Sequence, residues 1–329
     1  HTRAQHVRTS KPACDGRPKE APASGRAHRR ESPKQSRQKQ TRQKLLLLLA
    51  SLTGIGIWYL TPVSDLLTTL LLYQIPVEAD VLLGKAALVE FPYRTTYHPT
   101  YTPLVEEVGR DLVATLGVSK ETILQQTSGE WEGISASSIR DMTNYWDFGV
   151  VKAPIINAFA LPGGIIRVTD HLLETLSPTR GELAALLGHE IGHALHRHSQ
   201  KRIIQQKMLQ LVVSALTYED DDDDEETFGE AMGELLLKST YWFGQQKFSR
   251  DDEYQADETS WYLLLESKYY NPQSVQSLLT KLWTLNGQTP TSIDWMSTHP
   301  ATESRIETLN KKWQQLKRRD KLRVEYRPI

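Results

Sequence analysis

Cysteine is almost missing from this chain: among 329 residues there is one, Cys14. No intramolecular disulfide can form, and a metal site built on thiolates is excluded. Large apolar side chains are nearly absent from residues 1–44, which carry 13 Lys/Arg against 3 Asp/Glu. A segment of that kind buries too little surface to offset its ordering entropy, so residues 1–44 are expected to be a disordered basic tail. The tail lacks aromatic residues interleaved with its cations, and no nucleic-acid partner is expected. Its surplus of positive charge is hidden in an overall net charge of −1. The run Glu219–Glu226 has eight consecutive carboxylates but neither the glycine nor the spaced ligands of a calcium loop, and reads as a solvated loop. No internal repeat is present.

Charge itself is absent from Leu45–Val63 (LLLLLASLTGIGIWYLTPV). Nineteen uncharged residues match the roughly 30 Å of a bilayer core, and Trp58-Tyr59 near the far end fits an interfacial anchor. No A-x-A cleavage site follows, so the expectation is an uncleaved transmembrane signal anchor that contacts membrane lipid. The Lys/Arg excess before it predicts a cytoplasmic N-terminus and a domain on the non-cytoplasmic side, most simply a single-pass protein of a bacterial inner membrane facing the periplasm. A second apolar stretch, Leu66–Ile75, is too short to span and is expected to lie on the membrane surface or against the following domain. His98–Pro103, with two prolines, reads as a linker. The expected organisation is therefore 1–44 tail, 45–63 anchor, 64–103 membrane-proximal segment and linker, and 104–329 folded domain.

Periodicity predicts helices at Leu104–Leu116, Asp170–Leu176, Gly181–Lys207, Phe228–Tyr241, Arg250–Ser267, Pro272–Leu285 and Ala301–Lys317. Strands are expected at Phe148–Val151 and Ile155–Thr169, the latter turning at Pro162-Gly163-Gly164. The fold class is α+β, mainly helical.

Within Gly181–Arg202 stands His189-Glu190-Ile191-Gly192-His193. Residues four apart share a helical face, so both imidazoles converge with Glu190 beside them. Two neutral imidazoles and a carboxylate suit a catalytic zinc, which needs ligands and a base for its water. A third His six residues past the second, with a Gly between, would mark a metzincin; Ser199 and His196 stand there instead. His196 is expected to pack beside the site, and His198 to be solvent-exposed or capping. A third ligand is sought in Ser249–Asp257 (SRDDEYQAD), where Glu253 and Asp257 are four apart. One of these carboxylates can bind the metal while the other accepts the N–H of a ligating imidazole.

HEIGH, SRDDEYQAD, Ser297–Ile306 (STHPATESRI) and Asn157–Gly164 (NAFALPGG), in their positions along the chain, resemble the CAAX-prenyl protease/HtpX-like family of gluzincin metallopeptidases, over roughly residues 100–315. The missing multi-span pattern points to a single-anchor or periplasmic branch. The resemblance implies a zincin-like domain with a small sheet whose edge strand lines the cleft. It implies one zinc per subunit held by His189, His193 and Glu253, Glu190 as general base, and Asp257 behind a zinc-bound His. By the same resemblance His299 is a second catalytic residue, over the cleft near the metal or the scissile carbonyl, where it would help hold the tetrahedral oxyanion, and Arg305 helps hold that region. Asn157, Ala158 and Phe159 would pair with an extended substrate backbone. Two departures stand out: Gln255 where many relatives carry Glu, and Glu258-Thr259 where many carry Gly.

The expected function is a membrane-anchored zinc metalloendopeptidase acting on polypeptides, misfolded or membrane proteins among them. The alternative is a proteolytically silent or autoinhibited chaperone-like quality-control binder in the envelope, its cleft occluded. A separate expectation is that His299 takes zinc's fourth position and inhibits the resting enzyme.

Overall fold

The computed structural model describes residues 68–72, 74–126, 145–206, 247–267, 269–286, 294–300, 302–316 and 318–324. The basic tail, the apolar run 45–63, the acidic run 219–226 and the helix expected at 228–241 lie outside the described residues. Among the described residues no helix is long and apolar enough to cross a membrane.

Helices α1 (Val77–Glu90) and α2 (Tyr101–Gln126) flank strand β1 (Thr95–Thr96). Strands β2 (Asp147–Val151), β3 (Ala158–Leu161) and β4 (Ile165–Thr169) follow, then α3 (Asp170–Leu176) and α4 (Arg180–Leu195). After the undescribed stretch come α5 (Arg250–Glu266), α6 (Gln273–Asn286), the short α7 (Asp294–Thr298), α8 (Glu303–Gln315) and α9 (Arg318–Val324). The described residues are mainly helical, with one small mixed sheet. Its strand order is β1-β2-β4-β3: β2 runs parallel to β4, while β1 and β3 pair antiparallel to their neighbours. Strands β3 and β4 are buried at every residue, which is why β3 reads as an unbroken apolar run; β4 carries Arg167 inside it, paired with Asp147 at 2.7 Å. The turn between them uses Gly163 and Gly164 at φ +76° and +83°, a left-handed conformation that only glycine adopts without strain.

The prolines of His98–Pro103 do not make a linker. Helix α2 begins at Tyr101, and Pro103 falls in its first turn, where the missing N–H has no intrahelical partner to lose. His98 closes the helix end: its Nδ1 accepts from the N–H groups of Thr100 and Tyr101, and its own N–H donates to Thr102 Oγ1.

Helix α4 runs through the middle of the core, buried from Gly181 to Leu195. It starts with a capping box, Thr179 Oγ1 accepting from the Glu182 N–H at 3.1 Å and Glu182 Oε2 from the Thr179 N–H at 2.9 Å. Helix α5 starts the same way, with Ser249 and Asp252. The two helices lie unusually close because small residues face one another. A Cβ placed on Gly192 would come 2.8 Å from Ala256 Cα, and one on Gly188 would come 2.8 Å from Ser260 Oγ. That close approach delivers α5's Glu253 to α4's histidines. Gly192→Val is therefore expected to destabilise the fold by about 1–3 kcal/mol through overpacking and to spread the cluster, seen as a lower melting temperature together with weaker zinc binding.

The single helix expected over Gly181–Lys207 is interrupted. It ends at Leu195, Arg197 takes φ +54°, and helix resumes over 198–206. The Arg197 guanidinium explains the break, since it donates to Leu72 O at 2.6 Å and Ile75 O at 3.1 Å and pairs with buried Asp80 at 2.8 Å. The segment 68–80 is thereby tied to the end of α4, and Val77 and Val81 join the same core as the sheet and α4.

Candidate metal centre and active site

Four side chains from three parts of the chain converge: His189 and His193 from α4, Glu253 from the first turns of α5, and His299 just after α7. One ligand atom from each lies within 4.8 Å of all the others, and all four residues are buried. Nε2 of His189 and Nε2 of His193 are 3.0 Å apart. His299 Nδ1 lies 3.3 Å from His189 Nε2 and 3.0 Å from Glu253 Oε1, and His193 Nε2 lies 3.4 Å from the same Oε1. Ligands bound tetrahedrally at zinc–nitrogen distances near 2.0–2.1 Å would be about 3.3 Å apart. The donor set, its burial and its spacing fit that ion.

Glu190 projects beside the cluster. Its Oε1 accepts from the Trp295 indole Nε1–H at 3.0 Å and sits 3.9 Å from His299 Nε2. The Trp295 ring stacks on His299 at 4.8 Å, and Phe248 covers His193 at 4.0 Å. The backbone binds this cover down, with the Trp295 N–H donating to Ile156 O and the Phe248 N–H to Thr298 O.

Behind the cluster lies a network of charge. Asp257 Oδ1 is 3.0 Å from His189 Nδ1, and Arg305 donates to both Asp257 oxygens, to Glu253 Oε2 and to Pro300 O. Burial acts to raise both carboxyls, but it is outweighed. His299 and Arg305 hold Glu253 well below the usual carboxylate range, and Arg305 with His189 lowers Asp257. Burial drives His193 well below the ordinary histidine value. His299 moves the other way: burial opposes its charge, but the Glu253 and Glu190 carboxylates facing it prevail.

The structure thus brings His189, Glu190, His193, Glu253, Asp257, His299 and Arg305 into one site. Asn157, Ala158 and Phe159 are not among these converging groups; they run along the sheet margin, next to Ile156, whose carbonyl accepts from Trp295. Asn157 precedes β3 rather than belonging to it, and its backbone N–H and C=O are both taken by Thr169. Strand β3 is the terminal strand, yet its residues are buried. His196, half-buried, places Nε2 3.1 Å from Thr259 Oγ1, beside the site.

His198 is a correction. Expected at the surface or as a cap, it is 2 % exposed, with Nδ1 2.9 Å from His193 Nδ1 and Nε2 3.0 Å from Gln255 Oε1. Five residues along a continuous helix would rotate it about 140° from His193; the left-handed turn at Arg197 swings it back. Trp295 and Phe248 were equally invisible in the sequence, because aromatic residues on short or irregular segments carry no periodic signal.

Residues 125–313, more than half of the chain, match the model of peptidase family M48. Mitochondrial metalloendopeptidase OMA1 of Arabidopsis thaliana is 34% identical over 167 residues, 50% of this chain and 31% of the relative. The beta-barrel assembly-enhancing protease of Yersinia pestis is 25% identical over 226 residues, 67% of this chain and 40% of the relative. Metalloprotease LoiP of Escherichia coli is 27% identical over 164 residues, 49% of this chain and 60% of the relative. The matched region thus spans between 31% and 60% of the length of these relatives. The chain belongs to peptidase family M48, whose members are zinc metallopeptidases.

Proposed function

We propose that this chain is a zinc-dependent endopeptidase in which His189, His193 and Glu253 hold the metal and Glu190 is the general base. The observation that supports it most is the buried set of ligand atoms at tetrahedral spacing with a carboxylate alongside. When bound, zinc supplies Lewis acidity that brings water's pKa toward ~7 and polarises the scissile carbonyl. Glu190 then takes the proton of the attacking water and returns it to the departing amide nitrogen. Asp257 keeps the His189 proton on Nδ1, leaving Nε2 free as a ligand, while Arg305 neutralises the buried carboxylates. Ala158 and Phe159 would pair with an extended polypeptide, misfolded or membrane proteins being the substrate class such sequence-tolerant pairing suits. The apolar run 45–63 would tether the domain on the non-cytoplasmic side of a membrane.

Closure at rest belongs to this reading. His299 Nδ1 stands among the ligand atoms, the Trp295 indole holds Glu190, and β3 is buried. Casein cleavage tests both parts. Wild type should cleave slowly, lose activity to a chelator and regain it with zinc. His299→Ala should raise the basal rate about tenfold, as expected if roughly a tenth of molecules are open at rest. Cleavage indifferent to chelation would contradict the zinc mechanism, and a slower His299→Ala would contradict closure.

A further inference from the structure

We propose that His198 is a positioning residue for the His193 ligand, working through a two-bond proton relay that ends on the Gln255 amide. The inference rests on the zinc-site reading and adds what fixes one of its ligands. His193 Nε2 faces the cluster, 3.0 Å from His189 Nε2 and 3.4 Å from Glu253 Oε1. A neutral imidazole has one N–H, so an Nε2 lone pair aimed at a metal requires the proton on Nδ1. Among the described residues that proton has one hydrogen-bond partner, His198 Nδ1 at 2.9 Å. His198 must therefore accept there and carry its own proton on Nε2. Nε2 lies 3.0 Å from Gln255 Oε1, an atom that can only accept. An amide turned the other way would set a donor against that N–H. Each bond fixes the next tautomer, from the amide oxygen to the ligand nitrogen.

The surroundings make the relay a built feature rather than a chance contact. The left-handed turn at Arg197 aims His198 inward. His196 stacks on it at 5.2 Å with ring planes 8° apart, and Phe248 closes over His193. The Asp252 carboxylate is 3.7 Å from His198 Nε2, beyond hydrogen-bond reach, and is engaged by Arg202 at 2.7 Å. The two ligating histidines of α4 are thus backed differently. His189 donates to Asp257, a carboxylate fixed by Arg305, whereas His193 donates into a neutral imidazole–amide chain. Gln255, one of the two positions where the sequence departs from the resembled family, is what keeps that chain neutral.

Partners of this kind typically change metal affinity by about 10–100-fold. The experiment is a zinc competition titration on the full-length chain, with melting of the metal-free protein measured alongside. His198→Phe, which keeps the bulk and removes the acceptor, should weaken zinc by about 10-fold or more without lowering the metal-free melting temperature. His198→Asn, whose side-chain oxygen can accept in the place of Nδ1, should recover most of that affinity. Gln255→Glu should tighten zinc, because a carboxylate accepts more strongly than an amide and makes His193 a better donor. Should His198→Phe fail to fold, Gln255→Leu carries the test, with weakened zinc expected. Wild-type affinity in His198→Phe or Gln255→Leu would overturn the relay, as would an Asn variant as weak as the Phe variant. A wild-type chain that binds no zinc would instead overturn the zinc-site reading beneath it.

Discussion

Glu190→Gln should lower peptide cleavage by about 10²–10⁴-fold, the range that a positioned general base contributes, while zinc binding and stability stay at wild-type levels. The separation is expected from the geometry. Glu190 lies next to the cluster but is not one of its four converging groups, so the ligand set survives the change. The substituted amide keeps an oxygen that can accept the Trp295 indole N–H, now bound at 3.0 Å by Glu190 Oε1. What disappears is the basic oxygen that would take a proton from water. Steady-state cleavage of casein beside zinc content checks both halves. Unchanged turnover would remove Glu190 from the mechanism, and lost zinc would make it a ligand instead.

Arg305→Met should cost about 3–5 kcal/mol in the metal-free protein, the usual penalty for leaving buried charge uncompensated. Arg305 is 2 % exposed and is the shared cation of Glu253 and Asp257, which its guanidinium meets at 2.6 Å. Methionine fills similar space and offers neither charge nor donor. Both carboxyls are lowered in the native state in part by Arg305, so its removal forces them to take up protons or the helices to part. Zinc would supply part of the missing positive charge, and the loss should shrink when the metal is present. Denaturant unfolding with and without zinc measures this. A penalty under about 1 kcal/mol without metal, the range of exposed ion pairs, would show that the network is not holding the site.

Much of the centre was readable because helical spacing is a strong constraint. His189 and His193, four apart on an apolar helix, had to share a face, and Glu253 and Asp257 repeat the same interval on α5. The sheet was readable as well, since apolar Ala158–Leu161 and β-branched-rich Ile165–Thr169 are separated by a Pro-Gly-Gly turn. What escaped the sequence depends on backbone departures and on contacts far apart in the chain. His198 was misplaced because a continuous helix was assumed through Arg197, whose left-handed turn is imposed by acceptors 117 and more residues earlier, in the segment 72–80. Pro103 suggested a break because a proline inside a helix ends it, whereas one in the first turn does not. Trp295 meets Glu190 across 105 residues, a separation over which periodicity says nothing.

The measurement that bears most directly on the central claim is the zinc content of purified wild type beside Glu253→Ala, each equilibrated with zinc and freed of excess metal. HEIGH is intact in both chains, so any difference reports whether α5 completes the site. One zinc per wild-type chain and none retained by Glu253→Ala is the predicted result. A variant that keeps its zinc as tightly as wild type, or a wild type that holds none, would contradict it.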